Sequence, residues 1–215
     1  MRGRVALPRS LGDRRERRVG LLGGSFNPAH GGHRHISLLA MKLLDLDEVW
    51  WLVSPQNPLK PVKGMAPFAE RFERAVAETK HPRIKVTDIE TRIRTRFTAD
   101  TIKALRRRFP RTRFVWLMGA DNLTQIRRWQ RWRSIFRAVP IAVFARPTYS
   151  LRSLSDLAAR RFARRRVALR NARWLADMQP PAWVFFATRL DARSATGIRS
   201  ASAASNAGGA ARSKQ

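Results

Sequence analysis

Three of the four histidines in this chain, His30, His33 and His35, lie within one short stretch. A brief apolar run and two glycines precede them, which is the layout of a buried strand, a tight turn and the start of a helix. On a helix the rings of His30 and His33 project from nearly the same side, because residues at this spacing are neighbours on the helix surface. Imidazole N–H groups beside a helix N-terminus can donate hydrogen bonds to an anion such as phosphate. The stretch therefore predicts an anion-binding site.

Two other kinds of site fit this stretch less well. A zinc site would need more ligands, because the chain has no cysteine and no third histidine at a usual spacing. A P-loop would end in Gly-Lys-Ser/Thr, and a dinucleotide-binding loop would contain GxGxxG; neither pattern is present. The stretch instead follows the pattern GxFxPxHxGH, which runs from Gly24 to His33.

This pattern resembles the signature of the nucleotidylyltransferase superfamily. A second run, from Ser194 to Arg199, combines two hydroxyl groups with a guanidinium group and could form the other half of an anion cradle. It resembles the C-terminal phosphate-binding motif of the same superfamily. The resemblance implies a Rossmann-like fold and an enzyme that transfers a nucleotidyl group.

Further stretches resemble one branch of that superfamily, the bacterial nicotinate-nucleotide adenylyltransferases. They are the run 97–101, the run 119–123 with Trp129 after it, and the pair Arg146-Pro147. The resemblance extends over about residues 19–199 and implies transfer of AMP from MgATP to nicotinate mononucleotide, as in NAD biosynthesis. Other acceptors for the same chemistry stay open: phosphopantetheine, a cytidylyl substrate or nicotinamide mononucleotide.

The resemblance also implies roles for individual residues. The implied catalytic residues are His30, His33 and Asp121. The residues implied to bind ATP are Gly23, Gly24, Ser25, Phe26, His30, His33, Arg146, Ser194, Thr196, Ile198 and Arg199. Those implied to bind nicotinate mononucleotide are Asn27, Lys60, Thr98, Asp121 and Trp129. Trp132 is close enough in sequence to be the stacking ring instead of Trp129, so that choice is open.

No metal-ligating side chain is predicted. Carboxylates are sparse in this chain, and Mg²⁺ held mainly by substrate phosphates and water is a common arrangement. We therefore expect Mg²⁺ as a cofactor that enters with ATP.

Apolar runs alternate with helical patterns along the body of the chain, which predicts an α/β fold with a doubly wound parallel sheet in a single domain. The predicted strands after the first one are 48–54, 84–90, 113–120, 141–145 and 183–189. The predicted helices are 33–44, 67–79, 98–108, 131–138 and 154–169, with Thr98 as the cap of the third. We expect residues 1–18 to be a disordered basic arm, 19–199 the domain and 200–215 a disordered tail.

The formal net charge of +29 favours polyanionic partners. Only seven of the 44 basic residues are lysine, however, so we interpret most of the charge as a compositional preference for arginine. Non-specific nucleic-acid binding is expected from such a surface. A nucleic-acid-binding protein on a degenerate fold of this kind is the alternative, but intact His30, His33 and Arg199 argue against it.

Other features of the composition point to a cytoplasmic protein. No apolar run approaches the ~20 residues that span a bilayer, so no membrane association is expected. The arginine-rich start lacks the apolar core of a secretory signal, and the absence of cysteine excludes disulfides. The sequence leaves the oligomeric state open and is compatible with a homo-oligomer.

Overall fold

The computed structural model describes residues 16–56, 63–145 and 151–187. In these residues six parallel strands form one sheet, in the order β3-β2-β1-β4-β5-β6. The strands are β1 (Arg17–Gly24), β2 (Glu48–Val53), β3 (Ile84–Thr87), β4 (Thr112–Gly119), β5 (Ile141–Phe144) and β6 (Trp183–Phe186). This arrangement confirms the predicted doubly wound α/β fold.

Helices cover both faces of the sheet. They are α1 (Gly31–Leu43), α2 (Phe68–Thr79), α3 (Ile89–Arg92), α4 (Thr98–Arg108), α5 (Ala120–Gln125), α6 (Trp132–Ala138) and α7 (Leu157–Arg161). Helices α1 and α2 pack with one core, and α4 and α6 pack with the core on the other face. Strands buried on both faces explain the continuous apolar runs in the sequence, such as Val49 to Val53 in β2.

The order of the strands reverses between β1 and β4. From β1 the chain proceeds through α1 to β2 on one side, whereas β4 lies on the other side of β1. The loops that leave the carboxyl ends of β1 and β4 therefore diverge and leave a crevice between them, which is where open α/β sheets bind ligands. Both loops carry predicted site residues.

Three local predictions differ from the structure at the ends of elements. Strand β1 begins at Arg17 and thus includes the last two residues of the predicted arm. Strand β3 ends at Thr87, where its hydroxyl oxygen accepts a hydrogen bond from the Ile89 N–H at 3.1 Å and the chain turns into α3. Thr98 is the first residue of α4 rather than its cap; Phe97 occupies the cap position, and no side chain caps the helix.

The prediction of one basic helix over 154–169 is wrong. The chain forms a 3₁₀ run over Leu151–Ser155, then α7, then a 3₁₀ turn over Ala163–Arg165. The Val167 N–H donates a hydrogen bond of 2.7 Å to the Trp183 carbonyl, which draws the backbone onto the edge of β6. A continuous helix could not make this strand-like contact, because its own carbonyls would take the N–H groups.

Candidate active site

His30 caps the N-terminus of α1 with its own imidazole ring. Its Nδ1 accepts a hydrogen bond of 3.1 Å from the Gly32 N–H, and the His33 Nδ1 accepts one of 3.3 Å from the His30 N–H. Because Nδ1 is the acceptor in both rings, the neutral form of each carries its proton on Nε2. Both histidines are therefore Nε2–H donors, whether neutral or protonated, at the positive end of the helix dipole.

Aromatic contacts fix the position of His33. Its ring centroid lies 4.0 Å from that of His30, 4.8 Å from that of Phe26 and 5.8 Å from that of Trp51. Phe26 is buried, is stacked on Trp51 at 5.0 Å and has a positive φ of 47°, so the backbone bends sharply before the histidines. The Trp51 indole N–H donates to the Ser37 hydroxyl, which in turn donates to the His33 carbonyl.

The end of β1, directly before the turn to α1, packs against the indole ring of Trp116. A Cβ atom at Gly23 would lie only 2.5 Å from that ring, which is buried, so glycine is required there. A Cβ at Gly24 would make ordinary contact with Phe26 at 3.5 Å. The Ser25 hydroxyl oxygen is buried and has no hydrogen-bond partner among the residues that the structure describes. A phosphate oxygen is a ligand that such a hydroxyl and the neighbouring N–H groups could bind.

Arg71, which no sequence pattern predicted as part of the site, supports the turn between β1 and α1 from the protein interior. Its buried guanidinium donates hydrogen bonds to four backbone carbonyls: those of Ser25 (2.6 Å), Ser54 (2.8 Å), Pro55 (2.8 Å) and Ala66 (2.9 Å). Burial lowers the pKa of Arg71 from its usual value, but arginine stays protonated in proteins. The bonds join the loops after β1 and β2 to the start of α2. No local pattern announces this role, since the Ser25 carbonyl is 46 positions away.

Asn27 stabilises the same group of loops. Its side-chain amide donates to the Gly64 carbonyl at 3.0 Å, and its oxygen accepts from the Ala66 N–H at 3.3 Å. Both ends of the Asn27 side-chain amide are thus hydrogen-bonded to protein backbone. The predicted role of Asn27 in binding nicotinate mononucleotide stays a prediction.

Asp121 lies across the crevice from the histidines, in the first turn of α5. The parallel register aligns Leu22 of β1 with Leu117 of β4, so the two strands end side by side at Gly24 and Gly119. The pairing of these strands therefore brings the histidine pair and Asp121 to the same edge of the sheet.

The two candidate stacking residues differ in their surroundings. Trp132 is buried and makes edge-to-face contacts with Phe136 and Phe162, both at 6.1 Å, as a core residue does. Trp129 is partly buried and meets Trp116 edge-to-face at 6.3 Å. Trp129 thereby contacts the same indole that packs against Gly23, whereas Trp132 contributes to the core.

Thr98 begins α4, whose first N–H groups have no partner within the helix. A buried network supports this end of α4. The Thr101 hydroxyl donates to the Glu90 carboxyl at 3.0 Å and lies 2.9 Å from the Thr95 hydroxyl. Burial raises the pKa of Glu90 to about 7, and the hydrogen bond from Thr101 opposes that rise. Glu90 was predicted in a strand, so its role in this network was not foreseen.

Six predicted site residues lie outside the described residues: Lys60, Arg146, Ser194, Thr196, Ile198 and Arg199. Within residues 16–56, 63–145 and 151–187, no group of three or more His, Asp or Glu side chains is arranged to hold a metal ion. No helix in this part of the chain is long and apolar enough to cross a membrane.

A family model and the relatives found by sequence comparison point to the same kind of protein. A family model described as cytidylyltransferase-like matches residues 21–201. A protein from Cereibacter sphaeroides, named "Probable nicotinate-nucleotide adenylyltransferase", is 56% identical over 181 residues, which are 84% of this chain and 96% of the relative. A protein of the same name from a Bradyrhizobium species is 54% identical over 182 residues, 85% of this chain and 95% of its own length.

Among solved structures, the nicotinic acid mononucleotide adenylyltransferase of Plasmodium falciparum complexed with NaAD has a similar fold. The TM-score is 0.56 at 18% identity, over 65% of this chain and 72% of that one. The same enzyme complexed with APC gives a TM-score of 0.54 at 16% identity, with the same coverage. At these identities the likeness concerns the fold.

Replacing Arg71 with Met should destabilise the protein strongly. Four carbonyl oxygens would lose a charged donor, and hydrogen bonds to charged groups contribute about 1.5–3 kcal/mol each, so we expect a loss of about 3 kcal/mol or more in urea unfolding. Arg74→Met is the matched control, because Arg74 is exposed on the same helix and forms a surface ion pair with Glu70. It should change the unfolding free energy by about 0.5 kcal/mol or less. Equal losses in the two variants would contradict the role of Arg71.

Glu90 should make the stability of the protein depend on pH. Its pKa is raised in the folded state, so its contribution is fully present below the unfolded value of 4.5 and is lost as the pH rises through about 7. Glu90→Gln should remove this decline and, relative to the parent, gain up to about 3 kcal/mol between pH 4 and pH 8 in urea unfolding. Glu73→Gln, on the exposed side of α2, should follow the parent curve. A parent curve without a decline between these limits would exclude a neutral buried Glu90.

Proposed function

This chain belongs to the cytidylyltransferase-like family and, within it, to the nicotinate-nucleotide adenylyltransferases, and on that premise we propose that it transfers AMP from MgATP to nicotinate mononucleotide. The products are nicotinate adenine dinucleotide and pyrophosphate, which assigns the enzyme to NAD biosynthesis. The motif resemblance is thus confirmed at the level of the family. We propose the cytoplasm as its location, because both nucleotides are soluble metabolites.

The observation that carries this proposal is the pair of Nε2–H donors at the N-terminus of α1. In the reaction an oxygen of the mononucleotide's 5′-phosphate forms a bond to the α-phosphorus of ATP. The bond from that phosphorus to the bridging oxygen breaks, and pyrophosphate leaves with the electron pair. The attacking phosphate is already anionic, so no nucleophilic side chain is needed, and positioning with charge stabilisation suffices.

Each part of the β1–α1 region suits a triphosphate. The rings of His30 and His33 lie side by side, with centroids 4.0 Å apart, and we propose that their Nε2–H groups bind neighbouring phosphate oxygens. The dipole of α1 and the N–H groups of the turn add favourable potential. Such donors lower the barrier most if they meet charge that grows during the reaction, which is on the oxygens of the transferring and leaving phosphates.

We assign the acceptor to the crevice between α1, α4 and α5. Thr98 would direct the first N–H groups of α4 to the pyridine carboxylate, and Trp129 would stack on the ring. Asp121 would lie beside the reacting phosphates. By resemblance Lys60 would contact the acceptor phosphate. ATP would be bound by Arg146, Ser194, Thr196, Ile198 and Arg199.

We propose that Mg²⁺ enters as part of MgATP. Phosphate-bound Mg²⁺ keeps several waters and uses one or two protein carboxylates, and Asp121 is the carboxylate that β4 brings to this edge. The ion supplies neutralisation of the triphosphate charge when bound.

The proposal is tested by measuring pyrophosphate release with ATP and a panel of acceptors: nicotinate mononucleotide, nicotinamide mononucleotide and phosphopantetheine. We expect the highest kcat/KM with the first. His33→Ala should lower kcat by about 10²–10³, the usual effect of losing one donor to developing charge. His35→Ala is the matched control, because His35 is exposed on the same helix, and it should keep parental turnover. Preference for another acceptor, or normal turnover of His33→Ala, would overturn the assignment.

Trp129→Ala should weaken binding of the mononucleotide specifically. Stacking on an aromatic side chain contributes about 1–3 kcal/mol, and a small pyridine ring should lie near the low end, so KM for the mononucleotide should rise roughly 5- to 30-fold. KM for ATP should stay near the parental value. Trp174→Ala, which removes an exposed indole far along the chain, should change neither KM. If both KM values rise together in Trp129→Ala, the ring supports the fold instead of the substrate.

A further inference from the structure

Adenylyl transfer leaves one part of the surface unexplained. Residues 157–174, here called the arginine segment, follow β5 and contain seven arginines and no carboxylate. All seven are exposed: Arg160, Arg161, Arg164, Arg165, Arg166, Arg170 and Arg173. The segment combines α7, the 3₁₀ turn over Ala163–Arg165 and part of the 3₁₀ run over Leu169–Asp177.

These arginines keep their full positive charge. Some other arginines of the body are ion-paired: Arg17 pairs with Glu48, and Arg18 and Arg113 both pair with Asp177. Within residues 16–56, 63–145 and 151–187, no arginine of the segment has a carboxylate within ion-pair distance. The segment is thus a run of seven exposed arginines whose positive potential no carboxylate within the run offsets.

The backbone of the arginine segment is anchored to the core. The Phe162 ring stacks on Phe136 with centroids 4.3 Å apart, and the Phe162 carbonyl accepts the Trp183 indole N–H at 2.8 Å. The Val167 N–H bonds to the Trp183 carbonyl, and Ala172 is buried. The arginines thus extend from an ordered backbone. Binding of a ligand therefore costs less conformational entropy than it would if the arginines were on a flexible loop.

The same segment exposes large apolar side chains. Leu157, Leu169 and Trp174 are 52, 58 and 49% exposed, and no other large apolar residue in the described part of the chain is classed as exposed. The Arg173 guanidinium lies over the Trp174 ring, 4.8 Å from its centroid. An exposed indole next to cationic groups is typical of surfaces that bind single-stranded nucleic acid. Unpaired bases stack on the aromatic ring, and the phosphates of the strand bind the arginines.

We propose that the arginine segment is a binding surface for single-stranded nucleic acid, separate from the adenylyl-transfer site. Its Arg166 pairs with Trp183 at the β6 edge of the sheet, whereas the histidine pair lies at the start of α1, at the junction of β1 and β4. Duplexes hide the bases that Trp174 would stack on. An anionic membrane surface is disfavoured, because interfacial binding uses a continuous amphipathic helix, and the helix here has five residues between 3₁₀ turns.

The test uses the full-length protein and a fluorescein-labelled 15-nucleotide oligouridylate, with binding followed by fluorescence anisotropy from 50 to 300 mM KCl. The triple variant R160Q/R161Q/R164Q should raise Kd about tenfold or more. Three lost phosphate contacts should make the slope of log K against log salt shallower by about 2. The matched control R106Q/R107Q/R108Q removes the same charge from exposed positions at the end of α4 and should raise Kd less than about threefold. Equal effects of the two triple variants would overturn the proposal, since net charge alone would then explain the binding.

Trp174→Ala tests the stacking contribution. We expect a rise in Kd of about fivefold or more for the single strand, together with unchanged adenylyl transfer. A 15-base-pair duplex should bind more weakly than the single strand and should be insensitive to Trp174→Ala. Preference for the duplex, or parental affinity of Trp174→Ala for the single strand, would overturn the proposal. Anionic phosphatidylglycerol vesicles that displace the oligonucleotide and bind more tightly would assign the surface to membranes and overturn it as well. Melting temperatures within about 2 °C of the parent's establish that each variant is folded.

Discussion

The candidate site depends on one buried cation. The four carbonyls that Arg71 binds belong to the turn after β1, the loop after β2 and the start of α2, which have no regular secondary structure in common. A loop at the carboxyl end of a parallel strand is not hydrogen-bonded to a neighbouring strand, so its backbone N–H and C=O groups need other hydrogen-bond partners. When Arg71 takes the Ser25 carbonyl, the peptide that follows is held in place directly before Phe26 and the histidines. The positive charge of Arg71 also lies behind a turn that we assign to a triphosphate.

Trp116 contacts both the end of β1, next to the turn that we assign to ATP, and Trp129, which we assign to the mononucleotide. The Trp116 indole packs against Gly23 at the end of β1, directly before the turn, and it makes a perpendicular ring contact with Trp129. Tight packing in a protein interior transmits displacements, because no void absorbs them. The residue that we assign to nicotinate is therefore mechanically connected to the turn that we assign to ATP, without any direct contact between the two.

Arginine serves three different purposes in this protein. Arg71 is buried and organises backbone, whereas Arg18 and Arg113 join β1 and β4 to Asp177 by ion pairs. The arginines of the arginine segment neither organise buried backbone nor form ion pairs within the described residues, and their side chains are exposed to solvent. The net charge of +29 therefore has different consequences in different parts of the protein, and in the arginine segment it coincides with three exposed apolar side chains, those of Leu157, Leu169 and Trp174. This coincidence, more than the total charge, separates a binding surface from a compositional preference.

Sequence alone determined the elements whose signals are local. Buried parallel strands are continuous apolar runs, so the ends of β2, β4 and β5 were predicted to within one residue. The spacing of His30 and His33 predicted that both rings lie together at the start of a helix, and the structure places them there. The tertiary structure decided what depends on distant partners. Arg71 bonds to a carbonyl 46 positions away, and Glu90 is buried by packing that no periodicity reveals. Trp129 and Trp132 are identical in type and differ only in what surrounds them. The basic run over 154–169 is helical by pattern, yet it is broken because β6 binds its backbone. Local propensity amounts to a few tenths of a kcal/mol per residue, and tertiary contacts of this kind exceed it.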